Sequence, residues 1–213
     1  MAKLNLIIVG AGGFGRELLA MLWDGFSPED YSFKGFLADE PNDLALELGS
    51  ILGSPNDYQP QPDDRFLLAI GYMDAREATT RSLCDHGGQF ASYIHPTAYV
   101  ANTATVGEGA IIYPYSVVSN SAVVADQVHL NYFASVGHDV RVGRCCLLAP
   151  YATLNGFSQI EDHVYMSTHS TVVVAKKVGA RTKISANSTV QHDVPPDSFV
   201  HGVPGKVTRK LSF

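Results

Sequence analysis

Two stretches of the 213-residue chain carry residue types that can do chemistry. The first is SVGHD at 135–139, in which His138 is followed by Asp139. An imidazole with a reference pKa of about 6.5 can take a proton from an attacking amine or hydroxyl, which is general-base work. A neighbouring carboxylate can hold the tautomer and stabilise the imidazolium. Against that, consecutive side chains in extended chain point to opposite faces. The plain alternative for His138 is an exposed histidine without a task.

The second stretch is LIIVGAGGFGRELLAML at 6–22. An apolar run leads into Gly10, Gly12 and Gly15, spaced Gly-x-Gly-x-x-Gly, with Gly13 extending the loop. Gly10 suits a tight turn, Gly12 suits close backbone approach, and the helix N-terminus beyond them favours a phosphate. Asp39 falls where an acid can meet a ribose hydroxyl, and Gly71, ending LLAIG, offers another backbone amide at the same edge. Alternatively, the glycines only pack a strand against a helix.

The elements that must position these residues fall into two rhythms. Strand patterns at Leu4–Val9, Phe33–Ala38 and Phe66–Ile70 alternate with helical patterns at Arg16–Trp23 and Asp74–Asp85, which predicts a parallel α/β unit over residues 1–91. A dinucleotide fold needs two such halves, and there is room for one. The loop is therefore read as a site for a single nucleotide diphosphate rather than for NAD.

From residue 92 the pattern changes. An aliphatic residue or Met recurs every six positions, from Ile94 through Ile112, Leu130, Leu148 and Met166 to Val190, without a slip. Four places after each, the residue is usually small, as at Ala98, Ser116, Ala134, Ala152 and Ser170. A period of six fits neither a helix nor simple strand alternation. It fits a chain that turns after each short strand, three hexads to a triangular coil, with the aliphatic residue inside and the small one at the corner. The expected fold is an α/β Rossmann-like half domain (1–91) followed by a left-handed parallel β-helix of about five coils and a C-terminal tail (92–213), an exception to the right-handed crossover rule.

One coil being three hexads, Gly156 lies under His138 at a strand spacing of about 4.8 Å. A bare amide beside a base is where an oxyanion donor is wanted. The alternative is that Asn155 and Gly156 simply make a turn.

Composition narrows the partners. Net charge is −6; residues 1–89 hold 6 basic against 14 acidic side chains and residues 90–213 hold 9 against 7, so neither half has the basic footprint of a nucleic-acid binder. No apolar run approaches the roughly 20 residues of a membrane span, and cytoplasm is the expected location. Cys84, Cys145 and Cys146 match no zinc or redox spacing and are read as reduced packing residues. The histidines His163, His169 and His192 do not converge, so no metal is expected, and His95 before Pro96 is read as structural. Lys176, Lys177, Arg181, Lys183, Lys206, Arg209 and Lys210 gather positive charge late in the chain.

The Gly-rich first turn, HPTA at 95–98, the hexads with SVGHD, and GVPGK at 202–206 together resemble the hexapeptide-repeat sugar acyltransferases. Within them the similarity is to the sialic acid O-acetyltransferase and nucleotide-aminosugar N-acetyltransferase family, over nearly the whole chain. The resemblance implies a homotrimer with acetyl-CoA in the groove between neighbouring β-helices and a nucleotide-sugar reaching in from the N-terminal domain. His138 and Asp139 then occupy the catalytic pair, and Gly156 places its amide against the acetyl oxygen. Gly10, Gly12, Gly13, Asp39, Gly71 and Asn131, seven residues before the histidine, are substrate-binding candidates. Gly156, Val174 and Lys206 are the coenzyme contacts, and some of the late cations meet its phosphates. Phe14 and Leu147 replace histidines found in relatives. The implied activity is acetyl transfer to an amino group of a nucleotide-linked deoxysugar. O-acetylation of a sialic-acid-like sugar and a non-catalytic nucleotide-sugar-binding scaffold remain as alternatives.

Overall fold

A computed structural model of the protein describes residues 3–40 and 43–209. Lys210 lies outside the described residues. The chain divides into two compact units between Tyr93 and Ile94.

The first unit is built on three parallel strands, β1 (Leu4–Val9), β2 (Tyr31–Leu37) and β3 (Asp64–Leu68), in the order β2-β1-β3. Their inward residues Leu6, Ile7, Ile8, Val9, Phe36, Leu37, Phe66, Leu67 and Leu68 are all fully buried. Near-continuous apolar runs of this kind are what a parallel sheet covered on both faces demands. Helix α1 (Gly13–Ala20) starts three residues before the sequence pattern predicts and yields at Met21 to a single turn, α2 (Leu22–Gly25). A short α3 (Asp43–Leu46), which the sequence pattern does not predict, follows β2, and α4 (Met73–Asp85) follows β3.

The second unit is a left-handed parallel β-solenoid of about six turns, one more than expected. Two-residue strands pair with strands 18 residues away, as in Ser135↔Thr153 and Val136↔Leu154, and stack into eight-, six- and five-stranded sides. The hexad residues from Ile112 to Val190 are buried and form one column of core. Each fully buried aliphatic side chain contributes about 1.5–3 kcal/mol. Ile94, the first hexad residue, is exposed.

The corners differ from the expectation. The small residues are buried inside them, Ala122, Ala134 and Ala152 completely. The turn is made by the residue before each, which adopts the left-handed conformation every six residues from Tyr115 to Asn187. This conformation costs about 1 kcal/mol or more for a residue with a Cβ. Rungs between turns offset it, such as Tyr151 N–H to the Tyr132 carbonyl at 3.0 Å. On one corner the turn residues Tyr115, Phe133, Tyr151 and His169 also stack as parallel rings 4.6–5.2 Å apart. The solenoid runs past residue 191: the bridge Val178↔Val194 and the pair Ile184↔Val200 are 16 residues apart, so the last turn is two residues short. The hairpin of Ser198–His201 with Lys206–Arg209 then completes the eight-stranded side.

Candidate active site

After Ser135–Val136 the chain leaves the six-stranded side through Gly137 and His138, turns at Asp139, and enters the five-stranded side at Arg141–Val142. Asp139 has φ 57°. That left-handed turn removes the divergence expected of extended chain and brings Asp139 Oδ2 to 2.9 Å from His138 Nδ1. A carboxylate can only accept, so Nδ1 carries the proton in the neutral ring and Nε2 is the basic nitrogen.

Gly156 lies one turn on. A Cβ there would stand 2.5 Å from His138 Nε2 and 2.6 Å from Cε1, so the imidazole occupies the space a side chain at 156 would fill. Asn155 N–H bonds the Val172 carbonyl and Phe157 N–H the His138 carbonyl, whereas Gly156 N–H has no hydrogen bond among the described residues. At the equivalent place on other corners some amides are capped by side chains, Tyr132 by Asn131 Oδ1, Arg144 by Asp162 Oδ1 and Ala180 by Glu161 Oε2, whereas on this edge the amides of His138 and Val174 are, like that of Gly156, without a hydrogen bond among the described residues. A further turn on, Val174 is exposed on the same edge. His138, Gly156 and Val174 therefore form a column with a base at one end, an uncommitted amide next to it and apolar surface beyond. Phe157, which sequence reasoning did not single out, sets its ring edge-on to the imidazole, 5.1 Å between centroids at 89°.

Asn131 and Lys206 stand apart from this column. Asn131 follows a strand of the eight-stranded side, a full side of the prism before His138, and spends its Oδ1 on the Tyr132 amide at 2.7 Å. Lys206 opens the last strand of that same eight-stranded side. Among the late cations, Arg181 is held by both oxygens of Asp197, and Lys183 lies over the Tyr165 ring. His95 bonds Thr97 Oγ1 at 2.8 Å. No group of three His, Cys, Asp or Glu side chains able to hold a metal is found among the described residues.

In the first unit the remaining candidates gather at the carboxyl ends of the strands. Gly10 has φ 106°, and a Cβ there would meet the Ala69 carbonyl oxygen at 2.7 Å, so β1 turns tightly against the end of β3. A Cβ on Gly15 would collide with the Gly10 carbonyl, which is how α1 packs onto the turn. Gly12, Gly13 and Gly71 face open space. No side chain caps α1 and no acidic residue lies in its first turn, so the positive end of the helix dipole is uncompensated. Arg16 adds a cation there, and its Nε is buried with no hydrogen-bond partner among the described residues. Asp39 accepts from Ser54 Oγ at 2.6 Å.

The chain's homologues are sugar N-acetyltransferases, and the solved structures whose fold it shares are hexapeptide-repeat sugar acetyltransferases. No family model matches the chain. It is 28% identical over 137 residues to the GDP-perosamine N-acetyltransferase of Escherichia coli O157:H7, covering 62% of this chain and 61% of the relative. It is 31% identical over 118 residues to the UDP-N-acetylbacillosamine N-acetyltransferase of Bacillus subtilis strain 168, 51% of this chain and 50% of the relative. The chain thus spans half to three-fifths of the curated relatives it matches. Among solved structures it resembles PerB of Caulobacter crescentus in complex with CoA and GDP-perosamine, with TM-score 0.87, 25% identity, 97% of this chain and 98% of that one. Its fold also matches the acetyltransferase domain of PglB from Neisseria gonorrhoeae FA1090 in complex with acetyl coenzyme A: TM-score 0.87, 24% identity, 96% and 99% coverage.

Proposed function

We propose that the protein transfers acetyl from acetyl-CoA to the amino group of a nucleotide-linked sugar. The observation that carries this reading is the corner at 138–156: a histidine oriented by Asp139 with Nε2 against a glycine whose amide is uncommitted. As the amine nitrogen attacks the thioester carbonyl carbon, His138 Nε2 takes its proton. Gly156 N–H receives the developing oxyanion. The carbon–sulfur bond then breaks, and the imidazolium returns the proton to the departing thiolate. Val174 offers apolar contact for the donor arm along the same edge. A scaffold needs neither the oriented base nor the bare glycine.

The first unit is read as a Rossmann-like half domain that holds the nucleotide. Gly12, Gly13 and Gly71 face open space, Gly10 makes the tight turn before the uncapped end of α1, and this supports reading them as a diphosphate site with Asp39 as the partner of a ribose hydroxyl. The working form is read as a cytoplasmic homotrimer. The partition of the candidates supports this: His138, Gly156 and Val174 lie on one edge of the prism, Asn131 and Lys206 on the eight-stranded side. A groove that uses both sets is completed by a second copy. No helix among the described residues is long and apolar enough to cross a membrane.

The decisive experiment is thiol release from acetyl-CoA against UDP-, dTDP- and GDP-linked amino sugars, with free sialic acids alongside. Release with an amino sugar and a product carrying an amide supports the reading. Release only with sialic acids makes it an O-acetyltransferase, and none with either leaves the scaffold.

A further inference from the structure

The ring of Phe157 has no place in the core, and its setting asks for another reason. It sits in the left-handed conformation, φ 60°, and is 54% exposed. A bulky residue at such a corner carries backbone strain and leaves apolar surface in water. On the neighbouring corner the aromatic turn residues explain themselves by stacking on one another: Phe133 lies between Tyr115 and Tyr151. On this corner the turn residues one coil away from Phe157 are Asp139 and Ala175, which offer no ring. Its aromatic neighbour is His138, met at 89°.

His138 itself is more than half exposed. An imidazole in that position keeps rotameric freedom unless neighbours remove it, and a base must hold its reactive nitrogen within a narrow range of geometry. Three contacts close on the ring. Asp139 engages Nδ1, Gly156 leaves the space below, and the Phe157 ring stands across the remaining side. The first two fix which nitrogen points where; neither resists swinging of the ring plane about its bonds to the backbone. A perpendicular aromatic wall does.

We propose that Phe157 is a positioning residue for the transfer reaction, holding the plane of the His138 imidazole so that Nε2 stays over Gly156. This rests on the reading of His138 as the base. The test compares F157A, F157L and F157Y of the full-length protein, with H138A as the control. Truncation in F157A is expected to lower kcat by about ten- to a hundredfold, the scale of misplacing a reacting group by an ångström or less. KM for acetyl-CoA is expected to stay within about twofold, since the ring acts through the imidazole. F157Y, which keeps the ring, restores turnover. F157L keeps apolar bulk without a plane and behaves like F157A, which serves should the alanine variant fold poorly. Nitrogen-15 relaxation of the labelled imidazole gives a readout independent of turnover: a rigid ring in the wild type and in F157Y and added ring motion in F157A and F157L, with the Nδ1–H tautomer kept by Asp139 in all four. Wild-type kcat or wild-type imidazole relaxation in folded F157A or F157L, with H138A inactive, overturns the proposal and leaves the base in place. Full turnover in H138A overturns the base, and the catalytic role of Phe157 falls with it.

Discussion

Asp139 Oδ2 lies 2.9 Å from Nδ1 of the residue immediately before it, His138, a contact that extended chain forbids and a left-handed turn permits. The pair is thus a product of the corner. Its chemistry predicts unequal losses. H138A removes the base and is expected to reduce turnover by about 10²- to 10⁴-fold, with the fold intact. D139N keeps the geometry but lets the side-chain amide favour the wrong tautomer, and a smaller loss is expected. Steady-state kinetics with circular dichroism on both variants checks this. Near-normal turnover in folded H138A would sink the assignment.

Gly156 is open to a sharper test than deletion of its amide. G156A keeps the N–H and adds the Cβ that would lie 2.5 Å from His138 Nε2. The imidazole must move, so kcat is expected to fall by about tenfold or more while coenzyme binding persists. G156P removes the amide as well and is expected to be worse. Equal activity in G156A and wild type would mean that the ring does not work from this position.

Much of this site could be read from the hexads, because a period of six with no slip fixes which residues share an edge. The register of 18 that places Gly156 under His138 is simple counting, and the structure has it. What the letters concealed is the corner conformation. Left-handed residues are usually announced by Gly or Asn. Here the turns are made by Phe133, Asp139, Cys145, Phe157 and Arg181, whose backbone is dictated by rungs to the coil before, and by Tyr115, whose amide bonds Thr97 Oγ1. Local reading therefore parted Asp139 from His138 and overlooked Phe157. The short last turn, where Val194 replaces the expected position, was hidden by the irregular DVPP stretch, Asp193–Pro196. In the first unit β1 was legible to the residue, whereas the start of α1 at Gly13 was not: glycine reads as a breaker, yet Gly15 in the first turn is what the close packing against Gly10 requires.

The nucleotide loop makes a prediction about ligand class. A diphosphate bound at the end of α1 stabilises only the folded state, so UDP or GDP is expected to raise the melting temperature more than the corresponding nucleoside, and NAD much less. D39A is expected to weaken the effect by loss of a ribose contact. R16Q is expected to remove the advantage of diphosphate over nucleoside, because the buried Arg16 Nε has no hydrogen-bond partner among the described residues. Differential scanning fluorimetry decides. Stabilisation by NAD equal to that by UDP and GDP would reverse the reading of residues 6–22.

At the opposite end of the same sheet, Asp64 is enclosed and accepts from Lys34 Nζ at 2.7 Å, Tyr58 OH at 2.8 Å and Gln61 N–H at 3.0 Å. Burial alone would raise its pKa, but the bonds from Lys34, the Gln61 amide and Tyr58 outweigh it and hold the carboxyl below its ordinary value. Tyr58 is pushed up, first by burial. Lys34 is also raised: burial opposes its charge, and the bonds to Asp64 and Tyr58 prevail. The lowered carboxyl contributes stability above the unfolded value of about 3.9 that is lost as pH falls through the folded one. The two raised groups contribute fully below their unfolded values of about 10 and lose it as pH rises through the folded ones. D64N is expected to cost about 1–3 kcal/mol at neutral pH and to flatten the acid limb of the melting profile. An unchanged acid limb in D64N would show that Asp64 is not the group responsible.

The division of candidate residues between two parts of the prism predicts complementation. H138A lacks the base on one edge, and N131A lacks the amide on the eight-stranded side. If each active groove joins the His138 edge of one copy to the Asn131 region of the next, the two variants fail for different halves of the same site. Homotrimers of either are expected to be impaired, because every groove contains the lesion. After denaturation and refolding together, random assembly creates some grooves in which an N131A copy supplies His138 and an H138A copy supplies Asn131. Those grooves are intact, so the mixture is expected to recover activity that neither variant shows alone. Recovery should vanish when H138A is mixed with the double variant N131A/H138A, which brings no histidine. Light scattering on the mixture confirms that trimers formed. Trimers that form normally and yet show no recovery would place both residues in the service of a single copy, and the shared groove would have to be abandoned.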